Sequence, residues 1–219
     1  MSGIHMGYWK IRGLGELVRL TLNYLQVDYE DEQFETPEQW FPTKFSRGIP
    51  FPNLPFLVDG DHKQTETAAI VEYLCAKYNP ELLGKTPEER GTVSMLRNVI
   101  MEANGKIRGL CYSQDTKEAV IKQAVESLTP IHDFMEGKKW LIGDTFTYVD
   151  LCMLENHEFL DALTDGAIFD TFPRFKTHWD DVKALPQIKA YKTGPRFNKE
   201  LMFNGGPAQV NFKARDTAY

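Results

Sequence analysis

The sequence predicts an α/β domain followed by an all-α domain, and three features of the chain carry this prediction. Strand patterns occur only in the first third of the 219 residues. The segment NPELLGKTPEER, at residues 79–90, is rich in proline and glycine and has the composition of a linker. Beyond it, apolar residues recur only at helical spacing. We therefore expect an α/β domain at residues 1–83, an all-helical domain at 84–210 and an extended tail at 211–219.

The first domain is predicted to follow the order β-α-β-β-β-α. Residues 4–9 form a short strand, and apolar residues at three- and four-residue spacing then mark a helix. A second strand is expected at 27–34. Three closely spaced prolines in IPFPNLP exclude a helix there. The stretches 56–58 and 63–65 pair around the turn DGDH, and a last helix ends near Tyr78.

Helix-start signals dominate the second domain. Thr86 is a predicted N-cap, with Pro87 at the first helical position and Glu89 completing a capping box. Asp115 and Glu118 are expected to open the next helix. The segment TYVD at 147–150 has the spacing of a capping box with an aspartate as the acid.

Composition and charge exclude several classes of function. The net charge is −6 and no basic block occurs, which argues against nucleic acid and against an anionic membrane as partners. The three cysteines are far apart and form no C-x-x-C, so we expect a reduced, cytoplasmic protein. The first residues, MSGIHMGYWKIRG, lack the apolar core of a signal peptide. The five histidines show no metal-ligand spacing, and we expect no metal.

The turn Gly13-Leu14-Gly15 raises the alternative of a dinucleotide site, because it follows a strand and opens a helix. The third glycine of that fingerprint is replaced by Val18, however. Glu16 would place a negative charge where a pyrophosphate needs a bare helix end. A second βαβ half is also missing. The two glycines are better interpreted as turn residues, and Arg12 and Arg19 nearby are expected to form structural salt bridges.

Four separated segments point to a different ligand. GYWKIRGL, FPNLPFLVDG, LCYS and GDTFTYVD occur in this order. Together they resemble the mu class of cytosolic glutathione transferases, over nearly the whole chain. The resemblance implies the glutathione transferase architecture: a thioredoxin-like N-terminal domain, an all-α C-terminal domain and a homodimer. It also implies glutathione as co-substrate and small hydrophobic electrophiles as partners.

The residue expected to carry the chemistry is Tyr8, which matches the family's catalytic tyrosine at the end of the first strand. A free thiol has a pKa near ~8.5 and is mostly protonated at neutral pH. A hydroxyl that donates a hydrogen bond to the sulfur favours the thiolate and lowers that pKa. Without the resemblance, an aromatic residue packed at a strand end would be the simpler interpretation.

The resemblance further implies a set of glutathione-binding residues: Trp9, Leu14, Trp40, Lys44, Asn53, Leu54, Pro55, Glu66, Thr67 and Glu102. An indole N–H and an ammonium both suit the glycine carboxylate of glutathione. A cis proline is implied at Pro55, which exposes the backbone of the preceding residue to the cysteinyl part. Glu102 is expected to reach the neighbouring subunit's glutathione, and Phe51 to insert into the partner.

Two features depart from the family pattern. Glu66 replaces a neutral glutamine, and its carboxylate would attract the γ-glutamyl amine but repel the γ-glutamyl carboxylate. The stretch Gln33–Pro37 is shorter than the family loop, and Pro37 stands where the family has an arginine. A non-catalytic relative that binds glutathione or a hydrophobic ligand is therefore the alternative to an enzyme. For the electrophile, the implied residues are Ile11, Met101, Tyr112 and Phe203.

Overall fold

The chain builds a small sheet-containing unit and a larger helical unit. The computed structural model describes residues 3–113 and 116–199. Its strands are β1 (Ile4–Trp9), β2 (Tyr29–Phe34), β3 (Phe56–Asp59) and β4 (His62–Thr65). Its helices are α1 (Gly15–Tyr24), α2 (Pro37–Trp40), α3 (Thr67–Tyr78), α4 (Pro87–Tyr112), α5 (Lys117–Phe134), α6 (Tyr148–Thr164), α7 (Ile168–Thr171), α8 (Pro173–Lys183) and α9 (Pro186–Thr193).

The four strands form one mixed sheet in the order β2-β1-β3-β4. β1 pairs with β2 in parallel, with Tyr8 opposite Gln33, and with β3 in antiparallel orientation. A parallel pair needs a crossover, which α1 supplies. The predicted strand order along the chain is confirmed. The second strand begins at Tyr29 and not at Val27, because Val27 still closes the end of α1 through its N–H bond to the Leu22 carbonyl.

The start of the helical unit largely follows its sequence signals. Thr86 caps α4, and its side chain accepts the N–H of Glu89 at 3.2 Å. The Glu89 carboxylate accepts the N–H of Lys85 at 2.6 Å, so the return bond reaches one residue beyond the predicted N-cap. The α4 start lies just beyond a 3₁₀ turn at Pro80–Leu83. The predicted domain limits remain predictions, and the tail at 211–219 lies outside the described residues.

The next two helix starts differ in how well the sequence signalled them. α5 is capped by Thr116, whose side chain accepts the N–H of Ala119, with Glu118 in its first turn. Asp115 lies outside the described residues. The capping box of α6 is confirmed, since Asp150 accepts the Thr147 N–H at 2.8 Å. No helix among the described residues is long and apolar enough to cross a membrane.

A buried ion network joins the two units. α1 packs on α3 within the first unit and on α6 and α9 of the second. The fully buried Arg12 forms ion pairs with Glu155 and Glu158 on α6, and Lys192 on α9 binds the same two carboxylates. Because buried charges are tolerated only when they are paired, this network fixes the face on which the units meet.

The residues that opposed a dinucleotide site belong to the same interface. Glu16 is fully buried, accepts a hydrogen bond from the Tyr191 hydroxyl at 3.1 Å and lies 3.5 Å from the Lys192 ammonium. Arg19 pairs with Asp31 on β2. The structural salt bridges expected for Arg12 and Arg19 are thus confirmed.

Candidate active site

Tyr8 lies at the end of β1, beneath the turn that opens α1. Its side chain is only 6% exposed, and its hydroxyl oxygen accepts the backbone N–H of Leu14 at 3.0 Å. Two glycines make this approach possible. A Cβ on Gly13 would lie 2.8 Å from the Tyr8 hydroxyl, and Gly13 also has a φ of +41°. A Cβ on Gly15 would lie 2.5 Å from the Tyr8 ring. The turn therefore fits closely over the tyrosine.

The protonation state of Tyr8 follows from its surroundings. Burial raises the pKa of the hydroxyl above its ordinary value, while the Leu14 N–H and the charge of Arg108 act in the opposite direction. The hydroxyl is therefore neutral at physiological pH. Among residues 3–113 and 116–199, no acceptor engages its hydrogen. Tyr8 can accordingly donate one hydrogen bond to a ligand atom placed beside it.

A cleft of about 680 Å³, open solvent at its mouth included, lies next to this turn between the two units. Its lining residues come from the α1 turn, from the start of α3, from α4 and from α6: Gly13, Leu14, Leu17, Thr67, Met101, Asn104, Ile107, Arg108, Cys152, Glu155, Asn156 and Phe159. Most of its wall is apolar, with a few polar side chains that converge on it. Such a cleft between two units is a common place for a small-molecule site.

The second part of the candidate site is the start of α3. Thr67 donates its hydroxyl to the Leu14 carbonyl at 3.2 Å, so the Leu14 peptide is bonded on one side to Tyr8 and on the other to Thr67. Glu66 precedes the helix with a φ of +70°, and the Asn53 amide donates to its carboxylate at 3.4 Å. The implied cis bond between Leu54 and Pro55 is present.

Trp40 and Lys44 lie on the segment between β2 and β3. The Trp40 ring is 2% exposed and packs between Phe34 and Phe56, with ring centroids 5.3 and 6.0 Å away. Most of the indole therefore stabilises the core. The Lys44 ammonium lies 5.4 Å from the ring of Phe45, and among the described residues no carboxylate pairs with it. It is available to an anionic ligand.

Trp9 and Ile11 face a different region from the cleft. Both line a groove beside β2 that also includes Phe34 and Phe197. The Trp9 ring contacts Phe34 edge-on at 6.4 Å. Neither residue is in the lining of the cleft, although the Ile11 side chain reaches the turn, where a Cβ on Gly13 would lie 3.3 Å from its Cδ1.

The predicted electrophile residues are placed unevenly. Met101 lines the cleft, and Tyr112 lies near enough to Tyr8 to influence its hydroxyl electrostatically. Phe203 lies outside the described residues. Glu102 points away from the cleft, with 69% of its side chain exposed and an ion pair to Lys106 at 2.8 Å. A role for Glu102 toward a neighbouring subunit is compatible with that exposure.

Four polar residues of the cleft were not among the predicted site residues. Glu155 and Asn156 lie on α6, and the other two, Asn104 and Arg108, lie on α4. Both follow Met101 at helical spacing on α4, at positions i+3 and i+7, so the signal was present in the sequence. No group of three or more potential metal ligands occurs within residues 3–113 and 116–199.

Comparison with known proteins identifies the family. The sequence model of the glutathione S-transferase N-terminal domain matches residues 4–76, and that of the C-terminal domain matches residues 102–194. Glutathione S-transferase Mu 1 of Bos taurus is 35% identical over 202 residues, which cover 88% of this chain and 91% of the relative. The chain belongs to the glutathione S-transferase family. The predicted two-part fold and the predicted transferase activity toward glutathione are therefore confirmed.

Further relatives indicate which class of the family this chain resembles. Glutathione S-transferase Mu 2 of Mus musculus is 35% identical over 213 residues, which cover 90% of this chain and 94% of the relative. Among solved structures, the glutathione S-transferase Blo t 8 superposes with a TM-score of 0.81 at 25% identity, covering 94% of this chain and 99% of that one. A Caenorhabditis elegans transferase gives 0.77 at 27% identity, with 90% and 99% covered. The two sequence relatives belong to the mu class, whereas the structural neighbours belong to several transferase classes.

Proposed function

We propose that this transferase is a cytoplasmic homodimer of the mu type that conjugates glutathione to hydrophobic electrophiles, with Tyr8 stabilising the thiolate. The observation that carries the proposal is the neutral Tyr8 hydroxyl. It is held by the Leu14 N–H at 3.0 Å, and its hydrogen has no acceptor within the described residues. The rest of the proposal concerns how the neighbouring residues bind glutathione.

Tyr8 contributes by donating its hydrogen bond to the sulfur. This interaction favours the charged form, so the pKa of the thiol falls and the thiolate is populated at neutral pH. Leu14 strengthens the donor, because an oxygen that accepts a hydrogen bond becomes a better donor through its own hydrogen. In a substitution, the electron pair of the sulfur forms the new C–S bond, and the leaving group departs with its bonding pair.

The residues around Tyr8 suit the other parts of glutathione. The Lys44 ammonium can hold the glycine carboxylate, and the backbone of Leu54, turned by the cis bond, can pair with the cysteinyl peptide. At the start of α3, free backbone N–H groups can bind a carboxylate, while the Thr67 hydroxyl donates its own hydrogen to the Leu14 carbonyl. Glu66 can pair with the γ-glutamyl amine. The glutathione-binding roles proposed for Trp9, Trp40, Asn53, Pro55 and Glu102 rest on the resemblance.

We propose a homodimer because large apolar side chains are exposed on the surface. The Phe51 side chain is 89% exposed, so it does not belong to the core of its own subunit. Large exposed apolar side chains on α4, Met95 and Val99, add to the same kind of surface. The glutathione S-transferase Na-GST-3 of the hookworm Necator americanus has the same fold and is monomeric, so the fold alone does not decide assembly.

The test replaces Tyr8 by phenylalanine and measures conjugation of 1-chloro-2,4-dinitrobenzene. We expect kcat to fall roughly 100-fold, the scale of losing one preorganised donor, with little change in glutathione affinity by titration. Tyr24→Phe is the matched control, because it removes a hydroxyl from a half-buried tyrosine outside the cleft. Unchanged turnover in Tyr8→Phe would show that the assigned role is wrong.

A non-catalytic binding protein is the second candidate, and Glu66 is the observation that favours it. It immediately precedes α3, whose N-terminus is proposed to bind the γ-glutamyl carboxylate, so repulsion between the two carboxylates would weaken a productive complex. Wild-type protein that binds glutathione in the titration but conjugates no electrophile would support this second candidate against the first.

A further inference from the structure

Arg108 lines the cleft from the middle of the longest helix. Met101, Asn104 and Arg108 follow each other at three- and four-residue spacing on α4, and all three border the cleft. Arg108 is half-buried. Its charge also lowers the pKa of the Tyr8 hydroxyl, against the larger effect of burial, which indicates that the guanidinium lies near the reacting end of the cleft.

The charge of Arg108 is not neutralised by the part of the chain that the structure describes. Within residues 3–113 and 116–199, no hydrogen bond or ion pair engages its guanidinium. The buried cations behave differently: Arg12 binds Glu155 and Glu158, Arg19 binds Asp31, and Lys192 binds Glu16. A guanidinium that has no carboxylate partner in a partly apolar cleft is expected to attract an anion.

Two neighbouring polar groups sharpen this expectation. The Asn104 side chain makes no hydrogen bond to the described residues, and its buried oxygen has no partner, so the amide can turn its N–H group toward the cleft. The one carboxylate in the lining, Glu155, is already bound by Arg12 at 2.6 Å and Lys192 at 3.1 Å. It is therefore not a competitor for Arg108. Arg108 and Asn104 remain as a cation and an amide, one helical turn apart, in the same wall.

Apart from Thr67, Glu155 and Asn156, the rest of the lining is apolar. Leu14 and Leu17 lie on one side of the cleft, and Ile107 and Phe159 lie on the other. An aromatic or aliphatic body would be bound by these walls, while a carboxylate at its end would form a bidentate pair with the guanidinium. The Asn104 amide can orient its N–H group toward the same carboxylate.

We propose that the cleft selects electrophiles that carry a carboxylate, with Arg108 as the specificity-determining residue and Asn104 assisting it. This inference rests on the proposed function, because it concerns the second substrate of the same reaction. A different role for Arg108, stabilising the thiolate through its charge, would accelerate charged and neutral electrophiles alike. The two roles are separable by comparing electrophiles that differ only in charge.

The experiment uses 4-chloro-3-nitrobenzoate and its neutral counterpart 4-chloro-3-nitrobenzamide. In both reactions the sulfur electron pair forms the C–S bond at the chlorinated carbon, and chloride leaves with its bonding pair. The measured quantity is the ratio of kcat/KM for the benzoate to kcat/KM for the benzamide. Any effect of Arg108 on the thiolate cancels in this ratio.

We expect Arg108→Gln to lower the ratio roughly tenfold, which is the scale of one charge-assisted pair in a partly solvated site. Arg108→Lys keeps the charge and is expected to retain a substantial part of the preference, and Asn104→Ala to lower the ratio less. Lys122→Gln is the control, because it removes an equal charge from an exposed position on α5. Circular dichroism and thermal unfolding verify that each variant is folded.

The outcomes separate this inference from the proposed function. If wild-type protein conjugates both probes but Arg108→Gln leaves the ratio unchanged, the role of Arg108 is overturned and the transferase mechanism stands. A ratio that falls equally in Lys122→Gln would also overturn it, since general electrostatic attraction would then suffice. If wild-type protein conjugates neither probe nor 1-chloro-2,4-dinitrobenzene, the proposed function itself fails.

Discussion

The backbone N–H of Leu14 donates a 3.0 Å hydrogen bond to the hydroxyl oxygen of Tyr8. The carbonyl of the same residue accepts the Thr67 hydroxyl at 3.2 Å. One residue thus links the end of β1, the turn before α1 and the start of α3. This arrangement fixes the position of the tyrosine hydroxyl relative to a helix N-terminus that suits an anion. Preorganised donors of this kind need no rearrangement when charge develops.

The first prediction concerns the glycine that allows this geometry. A methyl group on Gly15 would lie 2.5 Å from the Tyr8 ring, so Gly15→Ala has to displace the tyrosine or the turn. We expect a loss of stability of about 1–3 kcal/mol, as for other overpacked sites, and a clear fall in kcat. Urea denaturation and conjugation kinetics measure the two effects.

Gly91→Ala is the matched control for that substitution. Gly91 lies within α4, and a Cβ there would meet no atom within 4 Å. Alanine is favoured over glycine in a helix by up to about 1 kcal/mol, so this variant is expected to be as stable as wild type or more so, with unchanged kcat. Wild-type kcat in Gly15→Ala would show that the close fit over Tyr8 is not needed.

Local signals account for the large part of the fold that could be predicted from the sequence. The capping box of α6 joins Thr147 and Asp150, three residues apart, and the Pro-containing segment before β3 excludes a helix by covalent geometry alone. Tyr8, by contrast, was identified through the resemblance. Aromatic residues are common in strands for packing alone, and only the surrounding motif favoured a catalytic role at this strand end.

Long-range pairings account for what the sequence could not predict. Arg12 was expected to form a salt bridge, but its partners Glu155 and Glu158 lie more than 140 residues away. Nothing in the local pattern selects them. Arg108 was missed for a related reason, because the face of a 26-residue helix that borders a cleft is decided by the elements packed against it. The spacing from Met101 indicated that Arg108 lies on the same face of α4, but not that this face borders the cleft.

The second prediction concerns assembly. Phe51→Ser removes an apolar side chain that is 89% exposed. We expect the variant dimer to dissociate at a higher protein concentration than the wild-type dimer. A buried aromatic anchor commonly contributes about 2 kcal/mol or more to an interface, about a 30-fold change in the dissociation constant. Analytical ultracentrifugation over a concentration series measures this shift.

Phe45→Ser is the comparison for the assembly prediction. Phe45 is also highly exposed, at 80%, and lies on the same connection between β2 and β3, so its loss tests whether any exposed phenyl group has the same effect. A wild-type protein that sediments as a monomer at all concentrations would contradict the proposed homodimer. Equal weakening by both substitutions would contradict the specific role of Phe51.

The last prediction concerns acid stability and a buried chain of three residues on α6 and α8. Asp150 accepts a hydrogen bond from His178 at 2.9 Å, and the other ring nitrogen of His178 lies 2.9 Å from His157. Burial holds the pKa of His157 well below its usual value, and the charges of His178, Arg174 and Lys183 act in the same direction. His157 is therefore neutral in the folded protein at physiological pH.

The sign of the pH dependence follows from this depressed pKa. The unfolded chain binds a proton at His157 below about pH 6.5, whereas the folded chain does not. The stability from this residue is therefore complete above about pH 6.5 and is lost as the pH falls toward the folded pKa, by up to about 1.4 kcal/mol per pH unit.

His157→Gln should flatten the decline of unfolding free energy between about pH 6.5 and 5, measured by urea denaturation. His62→Gln, an exposed histidine, should leave the slope unchanged. Identical slopes in wild type and His157→Gln would show that His157 takes up its proton without unfolding, most simply through its unpaired Nδ1.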